Sequence, residues 1–447
     1  MAQNNTESRR DFIKKATLGT IGLTTMGFSA RSYGQILGAN DRVRVAIVGF
    51  SNRFKDSLFP AFMEHAKAQN FELVGVSDIW NRRRDEAAAF GKEKANLKLQ
   101  KYRNNDELYA QKGIDAVIIS TADFQHALMG VEAVQNGKDV YLEKPMAETM
   151  EDAMAILKAV KASNKIVQIG SQRRSAPNYI AANEYIRSGK FGDIKMVEMT
   201  WNVNQPGRWR LPKLVSEIRQ EDTDWNRFLM NRPKVAWDPR KYLEYRLFWP
   251  YSSGIPGQWM SHQIDTVHWF TGLDHPRSVA ANGGIYMWQD GRENPDTMTA
   301  VFDYGPADDK TKGFQVVYSS RFSNGAGGTK ELYYSNGGML NLDTNKITSE
   351  GGLNQNEAKA MGLPANLLAE YTLPNQAKIE TSANTGGDPM TSLHMHNWMD
   401  CVRTRKTPNA SVQAGYNHSV ANIMTRTALQ SGKRVTFDAG KQEVILS

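Results

Sequence analysis

Ala116-Val117-Ile118-Ile119, inside the stretch 114–120, is an unbroken apolar run that ends at Ser120. A strand with apolar side chains on both faces belongs inside a parallel sheet covered by helices on either side. That requirement constrains everything around it, because parallel strands are joined by crossovers, usually helical. The flanking segments meet it. Residues 42–49 read as a strand running into Gly49, 56–67 as a helix, and 71–76 as a strand ending at Ser77-Asp78. Beyond Ser120, a helix runs through Val134. The short strand Val140-Tyr141-Leu142, a helix over 150–162 and a strand over 165–169 follow. The alternation predicts an α/β domain built on a doubly wound parallel sheet.

Ligands of such sheets bind outside the carboxyl ends of the strands. Lys144 stands at one such end, in Asp139-Val140-Tyr141-Leu142-Glu143-Lys144-Pro145. Glu143 is placed to hold its ammonium, and Pro145 stiffens the turn by fixing its own φ. A partly desolvated lysine trades protons near neutral pH. Another strand enters the turn at Gly49. Strand, glycine turn, helix, strand and terminal acid are the layout of a Rossmann dinucleotide site, with Asp78 on the adenosine ribose. The phosphate loop departs from the glycine-rich pattern, since Phe50-Ser51-Asn52-Arg53-Phe54 follows Gly49. Ser51 and Asn52 are small enough to offer backbone N–H groups, and Arg53 is expected to meet a phosphate. A carboxylate at Asp78 repels a 2′-phosphate and so favours NAD; Arg82 and Arg83 leave NADP open.

The second half changes character. Strands over 194–201, 278–283, 297–304, 314–320 and 330–334 lack regular intervening helices, which predicts an α+β domain with an open, largely antiparallel sheet. An aromatic and basic insertion lies among them: Arg208-Trp209-Arg210, Trp225, Trp237, Tyr242, Tyr245-Arg246 and Phe248-Trp249. Arg and aromatic groups together suit polyhydroxylated ligands, and equally suit packing at a boundary. In the stretch 257–272, helical spacing puts Gln258, His262, Asp265 and Trp269 on one stripe. His262 and Asp265 are then expected to touch, with Asp265 orienting the imidazole. No third and fourth ligand accompanies His262, so no metal site is predicted. Residues 325–328 and 350–357 read as loops, the latter opening a low-order region to about 387. Helices are expected over 392–403 and 415–431, the last packing back on the first domain. His394, His396 and His418 are read as structural.

Three segments occur in order: Thr121-Ala122-Asp123-Phe124-Gln125-His126, then Gly137-Lys138-Asp139-Val140-Tyr141-Leu142-Glu143-Lys144-Pro145, then Gln168-Ile169-Gly170-Ser171-Gln172-Arg173-Arg174. In these the chain resembles the Gfo/Idh/MocA family of glucose–fructose oxidoreductase, inositol dehydrogenase and their relatives. The likeness runs from about Val43 to the C-terminus. It implies a Rossmann domain over 41–171 and a substrate and oligomerisation domain over 172–447. It also implies a homo-oligomer, dimer or tetramer, and a carbohydrate-like small-molecule substrate. The cofactor contacts it implies are Gly49, Ser51, Asn52, Arg53, Asp78, Arg83, Ser120, Thr121, Asp123, His126, Glu143, Lys144, Gln172 and Arg173. Relatives place a carboxylate four residues before a catalytic His; His262 matches the His, but Gln258 stands where the Asp is expected. Ala122 replaces a Pro common in the loop after Thr121. A glutamine positions a hydroxyl without accepting its proton, which leaves acid–base work to Lys144 and His262.

Ser8-Arg9-Arg10-Asp11-Phe12-Ile13-Lys14 precedes a weakly apolar run rich in Gly and Thr. This matches a twin-arginine signal over residues 1–30 and predicts export of a folded protein to the periplasm. The run is too short and polar for a membrane span. Cys401 is the sole cysteine, which excludes an intrachain disulfide and Cys-based metal clusters. A net charge of +8 with no dense basic block gives no footprint for nucleic acid. The expected activity is hydride transfer between NAD or NADP and a sugar, glycoside or polyol. The alternatives are a redox-neutral glycosidase or lyase acting through transient oxidation, and a non-catalytic sugar- or cofactor-binding protein.

Overall fold

The computed structural model of the protein describes residues 41–306, 308–364, 366–374 and 388–447. The signal read at residues 1–30 and the end of the low-order region, 375–387, lie outside them.

The first sheet comprises β1 (Val43–Val48), β2 (Phe71–Ser77), β3 (Gln100–Tyr102), β4 (Ala116–Ile119), β5 (Asp139–Leu142) and β6 (Val167–Ile169). Its order is β3-β2-β1-β4-β5-β6, with every pair parallel. The four residues of β4 are fully buried, as the apolar run requires. The chain leaves in opposite directions on the two sides of the β1–β4 boundary, which opens a crevice at that point.

Eight helices among the described residues reach ten residues or more: α1 (Phe59–Gln69), α2 (Asn81–Ala95), α3 (His126–Gln135), α4 (Met150–Lys161), α5 (Pro177–Arg187), α6 (Ser261–Thr271), α7 (Pro389–Thr404) and α8 (Val412–Ser431). Their ends follow local chemistry. Thr149 caps α4 by accepting the Asp152 N–H, with acids in the first turn and lysines in the last. Gly272, at φ +75°, ends α6 in the left-handed region.

The second sheet holds β7 (Ile194–Asn202), β8 (Ser278–Gly284), β9 (Thr297–Tyr304), β10 (Phe314–Arg321), β11 (Thr329–Ser335), β12 (Gly338–Asn341), β13 (Lys346–Thr348), β14 (Tyr371–Thr372), β15 (Val435–Asp438) and β16 (Glu443–Leu446). Its order is β14-β13-β12-β11-β7-β10-β9-β8-β15-β16. Only the β7–β10 pair is parallel. Strands β15 and β16 come from the chain end and extend the sheet beyond β8. The low-order region is more regular than expected, since Gln355–Ala360 is helical with its turn capped by Asn354.

Both sheets lie in one compact unit, Val43–Ser447; the last two long helices pack on the first sheet's domain, and α8 also meets β8 of the second. Met395, Trp398, Met399, Cys401 and Val402 of α7 share one buried cluster with Val45 and Ile47 of β1 and Tyr141 of β5. Helix α8 packs back on the first domain as expected. A Cβ on Gly415 would stand 2.7 Å from Ile169 Cγ1 and from Met146 Sδ, so only glycine permits this approach.

Candidate active site

At the switch point the chain leaves β1 through Gly49, at φ +83°. A Cβ there would come 2.6 Å from Thr121 Cγ2, so the turn requires glycine despite the loss of the later glycines. Asn52 opens a helical run that passes through a π turn, Phe54–Leu58, into α1. The first N–H groups of a helix lack intrahelical partners and suit a phosphate. Asp78, at the end of β2, accepts the N–H of Phe50 and of Trp80, each at 2.9 Å. Burial raises its pKa against these two bonds, and its oxygens retain lone pairs for a ribose hydroxyl. Arg82 and Arg83 are both paired with Glu86, at 2.7 and 2.8 Å. Neither is an unengaged cation waiting for a 2′-phosphate.

These groups form one wall of a cleft of about 410 Å³. Gly49, Ser51, Asn52, Arg53, Asp78, Arg83, Ser120, Thr121, Asp123, His126, Glu143 and Lys144 line the first-domain side, with Gln172 just beyond β6. Trp201, Arg208, Trp209, Tyr245, Arg246, Gln258, Trp259 and His262 line the other.

Lys144 is engaged differently from the expectation. Its Nζ donates to the backbone carbonyl of Gln258 at 2.5 Å, while Glu143 takes Arg53 Nε at 2.9 Å and the Lys144 backbone N–H at 3.2 Å. Glu143 therefore acts on the ammonium through its field, and Arg53 is neutralised by Glu143 instead of standing free for a phosphate. Burial brings the Lys144 pKa down to about 8, with the charges of Glu143 and Asp123 resisting. The Gln258 carbonyl is available because Pro256–Met260 forms a π turn ahead of α6, and π turns re-aim backbone groups.

The side chain of Gln258 does something the sequence did not disclose. Its Nε2 donates to Asp123 Oδ2 at 2.6 Å, beside Ser252 Oγ at 2.6 Å, with Tyr245 OH on Oδ1 at 3.3 Å. A carboxylate at position 258 would face Asp123 directly, so an amide there fits its surroundings. His262 stacks on Trp201 at 5.7 Å, and its buried Nδ1 has no hydrogen-bond partner. Burial, with the Lys144 charge beside it, holds the imidazole well below its usual range, so it faces the cleft neutral.

Two expected site residues belong elsewhere. Asp265 does not orient His262; it takes Arg174 in a two-point ion pair at 2.7 and 3.0 Å, with His418 Nδ1 at 3.4 Å. The reason is the turn between them: Gln258 and His262 meet the cleft, while Asp265 faces α8. Arg173 does not line the cleft either. It pairs with buried Glu331 and lies 5.7 Å from the Trp201 ring, backing the aromatic wall. His126 braces the Lys144 turn, with Nδ1 2.8 Å from the Pro145 carbonyl and Nε2 3.3 Å from that of Thr121. Glu148 was missed. Burial raises its carboxyl to about 7, Asp123 adds to this, and Ser253 Oγ donates to it at 3.1 Å. Nothing in its sequence spacing marks it. Of the aromatic insertion, Trp225, Tyr245 and Phe248 form a separate buried cluster with Phe124, Phe228 and Tyr251, so much of it is packing.

Buried polar atoms that line the cleft without a hydrogen-bond partner include Gln172 Oε1, His262 Nδ1, Arg208 Nε and Arg246 Nε. Such atoms await a polar ligand. Of these, Gln172 Oε1, with the Gly49 turn and Asp78, fits a dinucleotide whose reactive end reaches Lys144, while the others face the opposite side of the cleft.

Fold and cleft thus define a Rossmann-type dinucleotide-binding domain closed by a second, ligand-facing domain. The Gfo/Idh/MocA family model, an oxidoreductase family with an NAD-binding Rossmann fold, matches residues 43–171. The chain is 25% identical over 213 residues to inositol 2-dehydrogenase of Salmonella paratyphi B, covering 47% of this chain and 60% of that one. It is 23% identical over 461 residues to a glycosyl hydrolase family 109 protein of Shewanella baltica, covering 96% and 95%. Levoglucosan dehydrogenase, solved with NADH and levoglucosan, shares the fold with a TM-score of 0.63 at 15% identity, over 88% of this chain and 99% of that one. Among the described residues, no group of His, Cys, Asp or Glu is arranged to hold a metal, and no helix is long and apolar enough to cross a membrane.

Proposed function

We propose that the protein is an exported NAD-dependent oxidoreductase acting on a sugar, glycoside or related polyol. The observation that carries this reading is the meeting of Lys144 and neutral His262 at the mouth of a Rossmann crevice. Bound NAD supplies the hydride acceptor, and the protein supplies placement and proton handling. Lys144, held on the Gln258 carbonyl, takes the hydroxyl proton of the carbon that is oxidised. The Gln258 amide, fixed on Asp123, and the His262 Nδ1 position the hydroxyl groups. The stacked Trp201 and Trp259 rings, 5.8 Å apart, offer an apolar face for a pyranose.

The similarity to a glycosyl hydrolase family 109 protein over almost the whole chain favours a second reading in which oxidation is transient. A ketone formed on the sugar acidifies the neighbouring C–H. Loss of that proton expels the glycosidic substituent, and addition of water and return of the hydride complete a redox-neutral cleavage. One experiment tests both. Protein denatured after purification is expected to release NAD, and native protein is then given sugars and aryl glycosides. Accumulating NADH supports net oxidation; aryl release without NADH supports the redox-neutral route. Protein that binds neither NAD nor NADP overturns both.

Export is part of the proposal, supported by Arg9-Arg10 and the weak apolar run behind them. Replacing both arginines by lysine is expected to strand folded, NAD-containing protein in the cytosol. An unchanged periplasmic yield refutes the signal.

A further inference from the structure

Most cations around the cleft are neutralised by a carboxylate. Arg53 is paired with Glu143, Arg210 and Arg240 with Glu244, and Arg292 with Asp290. Among the described residues, two arginines of the cleft are not accounted for in this way. Arg246 Nε lies 3.9 Å from Asp123, but that carboxylate is already held by Gln258, Ser252 and Tyr245. Arg208 has no carboxylate within ion-pair distance among the described residues; its one side-chain bond goes to the neutral amide of Gln205. The Nε of each is buried without a hydrogen-bond partner.

The reaction end of the cleft therefore carries Arg208, Arg246 and protonated Lys144 against Asp123, since Glu143 is already matched by Arg53 and His262 is neutral. Burial, with the Arg246 charge added, lowers Arg208 to about 10, and the same Arg246 charge works against Lys144. A concentration of like charge in a buried cleft is costly unless a ligand compensates it. The dinucleotide phosphates are not placed to do so, because they belong at the Gly49 turn, on the first-domain wall. Arg208 instead lies 5.4 Å from the Trp259 ring, and Trp259 stacks on Trp201, which stacks on His262. That chain of rings puts Arg208 on the substrate side.

The segment that presents it is built to hold it there. Arg208 follows Gly207, at φ +66°, and precedes Trp209, at φ +67°. A tryptophan in the left-handed region is strained and persists only where packing imposes it. Here the Trp209 ring meets Phe322 at 5.0 Å and Trp259 at 6.1 Å. The Arg292 guanidinium adds a bond to the Arg208 carbonyl at 3.5 Å.

We infer that Arg208, with Arg246, forms a subsite for an acidic group on the substrate, so that the sugar taken by this cleft carries a carboxylate, phosphate or sulfate ester. The inference rests on the reading of the cleft as a sugar site and narrows it. Tryptophan fluorescence tests it, because Trp201, Trp209 and Trp259 surround the subsite. NAD-loaded protein is titrated with glucose and methyl glucoside, and with glucuronate, glucose 6-phosphate and glucose 6-sulfate. At least one acidic sugar is expected to bind tenfold or more tightly than the neutral pair, the scale of one charge-assisted hydrogen bond; which one identifies the anion. Arg208→Gln is expected to erase the preference with NAD affinity unchanged, and Arg208→Lys to retain part of it. Equal binding of neutral and acidic sugars, or a preference that survives in Arg208→Gln, overturns the subsite but not the sugar site. Binding of no sugar by NAD-loaded protein overturns both.

Discussion

Lys144→Ala is expected to lower turnover about a hundredfold or more while the protein still carries NAD, the usual scale for losing a general acid–base group. The Nζ donates to a backbone carbonyl and has no direct carboxylate partner, so truncation removes the proton carrier without stranding a buried counter-charge. Arg53 and Glu143 keep each other neutral beneath it. The pH profile gives the sign. With its pKa near 8, the amine is mostly protonated at neutral pH and accepts a proton only as pH rises through that value. Oxidation by the wild type should therefore climb through about pH 8, and reduction in the reverse direction should fall. Lys144→Ala should lack that inflection, and Lys144→Arg should restore the charge but not the profile. His262→Ala should also slow the reaction. The double variant should lose less than the product of the two, because groups acting as a unit are not additive. Full activity in Lys144→Ala would remove the proposed chemistry, whatever the nucleotide content.

Five of the six strands of the first sheet were legible because each is a local statement; β3, three largely exposed residues at the sheet edge, was not. An apolar run at β4, a glycine at the end of β1 and an acid after β2 each carry their meaning within a few residues. Strands β7 to β11 were legible for the same reason. Strands β15 and β16 were not, since Val435–Asp438 and Glu443–Leu446 are short, partly exposed and paired with β8, far away in sequence. The site divides similarly. Lys144 and His262 announce themselves by type and position. The partnerships that decide what they do cross from one domain to the other: Gln258 to Asp123, Lys144 to the Gln258 carbonyl, Arg173 to Glu331. Helical spacing placed Asp265 beside His262, but periodicity fixes only which residues share a face. It does not say that Asp265 turns away from the cleft to Arg174 and His418, a better-matched charge.

Asp265 provides the other large effect, and it separates structure from chemistry. Burial opposes its charge, but the Arg174 guanidinium beside it outweighs this and holds the carboxyl well below the usual range. Both partners are removed from water, with side-chain exposures of 1% for Asp265 and 10% for Arg174, and His418 is fully buried against the same carboxylate. Truncating one partner of a buried pair leaves the other charge uncompensated and costs about 3–5 kcal/mol. Asp265→Ala should therefore shift the urea midpoint strongly, while the fraction that stays folded keeps near-normal turnover and the same pH profile. Replacing both partners by apolar residues, Asp265→Leu with Arg174→Met, should recover much of the loss, because no charge is then stranded. The linkage sign follows from the lowered carboxyl. Its contribution is fully present above the unfolded value of about 3.9 and is lost as pH falls toward the folded one. The stability gap between wild type and Asp265→Ala should be full at neutral pH and narrow below about pH 4. A variant with unchanged stability and collapsed turnover would return Asp265 to the catalytic machinery.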